Sequence, residues 1–124
     1  MGRSRVLLSG DIEAAAEREL ASRFQFDSAT FTALKIPHHG SKTSSSDLLL
    51  DRVDPDVAVI SVGSTNRFGH PHDEVLERLD ERGIPVLRTD RDGLIEISIC
   101  PGGIATVRAC RRSEHREGEV MQVR

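Results

Sequence analysis

The chain has 124 residues, 37% of them hydrophobic and 30% charged, enough for the core of one small domain. Seventeen Lys and Arg stand against twenty Asp and Glu, a formal charge of −3, so whole-chain charge gives no electrostatic footprint for nucleic acid. The aromatics are four Phe, a poor start for a stacking surface, and the longest apolar run, Val57-Ala58-Val59-Ile60, is far below the roughly 20 residues of a spanning helix.

Met1 to Arg5 lead into strand-like Val6-Leu7-Leu8 without the apolar core of a secretory signal, so the chain reads as soluble. Arg5–Ser9 predicts a buried strand ending at Gly10-Asp11. A helical period follows from Ile12 to Phe24, where Ile12, Ala16, Leu20 and Phe24 recur and Glu13, Glu17, Arg18 and Glu19 take the other face. Thr32–Ile36 is a second strand, stopped by Pro37. Ser44–Asp54 is a second helix with Leu48, Leu49 and Val53 inward, stopped by Pro55. Val57–Val62, β-branched and uncharged, has the pattern of a strand buried on both faces. Asp73–Arg82 predicts a third helix with Val75, Leu76 and Leu79 as its stripe and Gly83 as its stop.

Pro85–Thr89, Leu94–Ile99 and Ile104–Ala109 predict three more strands, the first two joined by a turn at Asp90-Arg91-Asp92-Gly93. That turn lacks the later Glu of a calcium loop. A hairpin about Pro101-Gly102-Gly103 that pairs residue 100 with 104 sets 110 opposite 94. Cys100 and Cys110 then lie beyond the roughly 7 Å between Cα atoms that a disulfide spans, and are expected as two thiols in a reducing compartment. Residues 1–110 form the expected domain, and Arg111 to Arg124 an apolar-poor, charged tail expected to fray. The order βαβαβαβββ predicts an α/β layer architecture with helices on at least one face of a sheet.

Four of the five histidines form two clusters, His38-His39 and His70-Pro71-His72, each after a predicted strand, while His115 sits in the tail. Neighbours on an extended chain point in opposite directions, so one of His38 and His39 is expected to serve a given centre, whereas the H-x-H spacing can put His70 and His72 on one side if the loop is extended. Imidazole suits zinc, manganese or iron, each of which needs three or four converging ligands. Asp11 is the oxygen-donor candidate, although a strand–Gly–Asp–helix junction equally suits a helix N-cap. The stretch Gly40-Ser41-Lys42-Thr43-Ser44-Ser45-Ser46 reads either as a phosphate cradle or as a well-capped helix start.

In combination, Leu7-Leu8-Ser9-Gly10-Asp11, Leu34-Lys35-Ile36-Pro37-His38-His39-Gly40-Ser41, Asn66-Arg67-Phe68-Gly69-His70-Pro71-His72 and Arg88-Thr89-Asp90-Arg91-Asp92-Gly93 carry a resemblance. The chain resembles, over about residues 5–99, the C-terminal part of the metallo-β-lactamase-fold domain of DNA-internalization competence proteins (the ComEC family). The resemblance implies half of an αββα sandwich, a mixed sheet with helices on one face. It implies that Asp11 bridges two divalent metal ions, zinc or manganese, and that His38 or His39 is a further ligand, with His38 favoured directly after Pro37. It implies hydrolysis of a phosphodiester in single-stranded DNA during uptake, with Arg67, Lys42 and Ser41 on the phosphate and His70 or His72 as proton donor. Arg108–Arg116 either helps to hold DNA or is solvated tail.

The superfamily's H-x-H-x-D-H motif does not occur in the 124 residues, so the isolated chain is expected to lack a complete ligand set and to be inactive. Its expected partners are the N-terminal half of the domain and the membrane channel of the parent family, an integral protein of the bacterial cytoplasmic membrane. The sheet face meant for that half is expected to be exposed, apolar and able to self-associate. Two other readings stand beside this one. The chain is a non-catalytic folding or interaction module, or it is a small α/β binding domain in which Asp11 only caps a helix.

Overall fold

Three strand–helix units come first, as β1 (Ser4–Leu8), α1 (Ala14–Arg23), β2 (Phe31–Lys35), α2 (Asp47–Val53), β3 (Val57–Ile60), α3 (Asp73–Glu81) and β4 (Val86–Arg88). The computed structural model describes residues 3–23, 25, 29, 31–103 and 105–110, and the backbone of 120–123. Phe24, Ile104, His115 and residues 111–119 of the predicted tail lie outside the described residues. A helical crossover between successive strands leaves them parallel, in the order β1-β2-β3-β4. Every crossover steps in the same direction, and since such connections are right-handed as a rule, the helices share one face of the sheet, where they contribute to one core cluster. There Leu34, Ile36, Ala58 and Ile60 pack against Leu49, Leu50 and Val53 of α2 and Val75 and Leu79 of α3. Each fully buried Leu or Ile contributes about 2 kcal/mol of transfer free energy.

The other face is covered by the end of the chain. A helical turn, α4 (Thr89–Asp92), leads into antiparallel β5 (Leu94–Ile99), β6 (Ala105–Cys110) and β7 (Val120–Val123). Phe31, Ala33 and Val57 of the parallel sheet meet Ala105 and Val107 of β6, with Leu87, Ile95 and Ile97 alongside. The expected single mixed sheet is thus two sheets, one parallel and one antiparallel, in an α/β sandwich of helix, sheet and sheet. The division falls at α4, which the Arg88 side chain holds through two bonds to Asp90, 3.0 and 2.7 Å, while the Arg88 amide donates to Asp92 at 2.8 Å. The bound guanidinium keeps the Asp90 carboxyl below its ordinary pKa. Thr89 ties this turn to the end of β3, its hydroxyl accepting from the Val62 amide and donating to the Val62 carbonyl, both at 2.8 Å.

Several expectations change. Val120–Val123, read as frayed tail, pairs antiparallel with β6. Leu48 is exposed and Leu50, two residues on, is buried in its place. In α1 the stripe Ile12–Ala16–Leu20 lines an open groove of about 390 Å³ with Leu7 and Leu8, whereas Glu17, assigned to the solvent face, is fully buried beside Ala21. The hairpin register is as expected, pairing Leu94 with Cys110, so Cys100 and Cys110 sit at opposite ends of the ladder and form no disulfide.

Among the described residues β1 is an edge strand. Its start meets the β5–β6 turn, the Ser4 hydroxyl donating to the Gly103 carbonyl at 2.5 Å, but Val6 and Leu8 are 39% and 75% exposed. The expected apolar, uncovered sheet face is therefore confined to this one strand, because the chain's own β5 and β6 cover β2 and β3.

Candidate functional site

The loops that follow β1, β2 and β3 meet at the C-terminal end of the parallel sheet, where α/β sheets leave a crevice between their connections. Pro37–Gly40 is a single 3-10 turn in which His38 (φ 47°, ψ 42°) and His39 (φ 55°, ψ 21°) are both left-handed. Two such side-chain-bearing residues in a row cost on the order of 1–3 kcal/mol each. The turn is held against the β1–α1 loop by the His38 amide, which donates to the Gly10 carbonyl at 3.1 Å. Because this backbone is curled, the two imidazoles do not diverge as on an extended chain, and their centroids lie 6.5 Å apart.

His39 Nδ1 lies 2.6 Å from the Ser61 carbonyl, an acceptor, so the ring carries its proton there. In its neutral form the ring then presents the Nε2 lone pair toward Asp11, whose Oδ1 is 3.6 Å away. Two ligand atoms on one tetrahedral ion, each about 2.1 Å from it, are about 3.4 Å apart. A histidine that gives its other N–H to a backbone carbonyl is the usual arrangement of a metal-bound imidazole. Asp11 does not cap α1, which starts at Ala14, with the Glu13 carbonyl accepting from Glu17 at 3.0 Å. Its carboxylate instead faces His39 and, at 3.9 Å, Lys35 Nζ. His38 Nδ1 is directed elsewhere, 3.3 Å from Glu13 Oε1 but buried and without a well-formed hydrogen bond. Among the described residues no group of three or more His, Cys, Asp or Glu side chains gathers as a metal cage.

The second histidine cluster is brought in by glycine. A Cβ on Gly40 would stand 2.5 Å from Pro71 Cβ and 3.0 Å from its Cα. With no side chain there, the 70–72 loop docks on the turn, and the His72 amide donates to the Gly40 carbonyl at 2.9 Å. His70 consequently sits 5.7 Å from His38 and 4.9 Å from His72, centroid to centroid. His70 and His72 lie on one side, as their spacing suggests. The Lys42 amide donates to His72 Nδ1 at 3.2 Å, which places the proton of neutral His72 on Nε2.

Burial first, then His72, His38 and His39, push the His70 pKa below its ordinary value. The fold therefore favours the neutral ring. This contribution to stability is fully present above pH about 6.5 and is lost as pH falls toward and through the lowered folded value. An imidazole NMR titration of the metal-free chain, with His70→Gln for assignment, is expected to give a His70 midpoint below 6.5. A midpoint at or above that value contradicts it.

The remaining predicted residues are placed differently. Arg67 is exposed at the rim of the 66–70 loop. Lys42 is exposed beside the histidines, and Ser41 is buried, its hydroxyl 3.0 Å from that of Thr43. The cradle reading of the serine-rich stretch gives way to the capped one. Glu17, reaching over from α1, accepts from the Ser45 and Ser46 amides at 2.5 and 2.8 Å, and Ser46 Oγ accepts from the Leu49 amide at 3.3 Å. Sequence reasoning missed Glu17, Ser61 and Asn66. Asn66 closes its loop by accepting from the His70 amide at 2.8 Å and donating to the His70 carbonyl at 2.9 Å. An Asn followed within four residues by Gly was the available turn signal for it.

No helix among the described residues is long and apolar enough to cross a membrane. No protein-family model matches the chain. Among curated proteins it is 41% identical over 90 residues to ComE operon protein 3 of Bacillus subtilis, a match that takes in 73% of the chain and 11% of that protein. It is 35% identical over 107 residues to Competence protein ComA of Neisseria gonorrhoeae, covering 86% of the chain and 15% of the relative. Recombination protein 2 of Haemophilus influenzae is 40% identical over 97 residues, covering 78% of the chain and 12% of the relative. The chain thus spans between 11% and 15% of the length of these relatives, and its homologues include bacterial competence proteins.

Proposed function

We propose that the chain supplies one side of a metal-dependent phosphodiester hydrolase site in a protein of competence-linked DNA uptake, acting on single-stranded DNA. The observation that carries this reading is the pair His39 Nε2 and Asp11 Oδ1, 3.6 Å apart with the imidazole proton committed to Ser61. Asp11 and His39, rather than His38, would hold a zinc or manganese ion, with further ligands from another segment of the parent protein. The competence relatives and the helix–sheet–sheet layering support this, and we take the layering as half of a metallo-β-lactamase-type αββα sandwich.

A bound divalent ion acts as a Lewis acid on a phosphodiester and on the water that attacks it. The chain's own groups do the rest. Lys35, beside Asp11, and exposed Lys42 and Arg67 offset the charge of the non-bridging phosphate oxygens. His72 presents its Nε2 proton to the phosphate, and His70, 4.9 Å away, is the second imidazole at the leaving oxygen.

Titration with zinc or manganese tests the reading. Joined to the remainder of the parent domain, which supplies the further ligands, the chain is expected to bind a divalent ion, and Asp11→Asn or His39→Gln to weaken that binding by about tenfold or more with an unchanged circular dichroism spectrum. In a complex with the remainder of the parent domain, Asp11→Asn is expected to lower DNA cleavage by about 100-fold or more. Equal metal affinity in the wild-type chain and both variants overturns the assignment.

A further inference from the structure

Phe68 is 77% exposed, more than any other large apolar side chain among the described residues. It is nevertheless held. Asn66 clamps the loop at both ends, donating to the Gly63 carbonyl at 3.1 Å and bonding His70 through both amide and carbonyl. Gly69, at φ 68°, turns the chain directly after Phe68. The Phe68 ring then stacks on His70, centroids 5.7 Å apart and planes 26° apart. An aromatic ring thus rests on the histidine cluster, largely open to solvent, with Arg67 exposed next to it.

We propose that Phe68 is a stacking platform for an unpaired nucleobase adjoining the phosphodiester at the histidine cluster, so that the site selects single-stranded nucleic acid over duplex and over diesters without a base. The inference rests on the reading of that cluster as a phosphodiester site. A base presents its π-face only when it is out of the double helix, and any base can use such a platform, so the selectivity is for strandedness and not for sequence. Arg67 supplies the adjacent positive charge, which net composition conceals. The low aromatic content does not argue against contact with single strands when one ring stands at the site.

The chain contains no Trp, so Phe68→Trp creates a single fluorophore at the proposed contact. The probes are a short oligothymidylate, an abasic oligonucleotide of equal length and a duplex. The wild-type chain is expected to bind oligothymidylate about 5- to 100-fold more tightly than the abasic strand or the duplex. Phe68→Ala and Phe68→Leu are expected to abolish that difference. Phe68→Trp is expected to retain it and to be quenched by oligothymidylate but not by the abasic strand. Failure of the wild-type chain to prefer oligothymidylate, or full preference in Phe68→Ala with native circular dichroism, overturns the proposal. Failure to bind any oligonucleotide does the same. The two readings fail separately, since metal titration of Asp11→Asn reports on the ion site and base-dependent quenching reports on Phe68.

Discussion

Replacing Glu17 with Ala is expected to cost about 3–5 kcal/mol. The carboxylate is fully buried and accepts from two backbone amides, those of Ser45 and Ser46, at the start of α2. Hydrogen bonds to a charged acceptor contribute about 1.5–3 kcal/mol each, and truncation also strands both donors away from water. The neighbouring backbone has no slack to recover them. Ser45 is left-handed at φ 59°, and its carbonyl is already taken by Arg78 of α3 at 2.7 Å. Glu17 is thus the junction between α1 and the start of α2, a segment that Arg78 of α3 holds from its other side. Against a total stability of about 5–15 kcal/mol, the loss brings the midpoint of urea unfolding down by about a fifth or more. Glu17→Gln keeps one acceptor and turns an amide donor toward the amides, so about half the loss is expected. Glu19→Ala, which removes an exposed pair with Arg23 at 2.9 Å, is expected to change stability by less than about 0.5 kcal/mol. Equal midpoints for Glu17→Ala and Glu19→Ala would falsify the junction.

Gly40→Ala is expected to cost about 2–4 kcal/mol and to part the two histidine clusters. The residue is held at φ 83°, where a Cβ is strained whatever the space, and that Cβ would press on the Pro71 ring at 2.5 Å and on its backbone at 3.0 Å. Pro71 cannot swing aside as a flexible side chain would, so the 70–72 loop must lift. Its tie from the His72 amide to the Gly40 carbonyl is then lost, and His70 leaves His38. Gly83→Ala isolates the dihedral term, because Gly83 has φ 65° and a Cβ there would meet nothing within 4 Å, and about 1 kcal/mol is expected. The readout is twofold, by unfolding midpoint and by the NMR contact between the His38 and His70 rings. Persistence of that contact in Gly40→Ala would show that the loop does not depend on the glycine.

The parallel strands, their helices and the β5–β6 register were legible because each rests on a local pattern, the β-branched run at Val57–Ile60 or the turn at Pro101-Gly102-Gly103. The inward face of α1 was not. Its apolar stripe Ile12–Ala16–Leu20 lies in a groove at the sheet edge, while a carboxylate takes the buried position beside α2. Periodicity ranks faces by hydrophobicity and has no means of seeing two backbone amides waiting in another segment. The splitting of the sheet was hidden for a related reason, since nothing in a strand's sequence states which sheet it joins. At the site, motif order pointed to loops that come together at one end of the parallel sheet. The identity of the histidine beside Asp11 depended on left-handed backbone at both His38 and His39, which strand-based alternation does not anticipate.

The uncovered side of β1 makes the surroundings of this chain a matter of concentration. An edge strand with Leu8 three-quarters exposed, next to an apolar groove, offers backbone donors and acceptors to any strand that approaches it. A strand tethered in the same polypeptide acts at an effective concentration in the millimolar range, whereas separate copies must be supplied at that level to compete. Inside a longer protein the edge is therefore settled by whatever sequence the tether holds nearest, and dilute separate copies compete for it poorly.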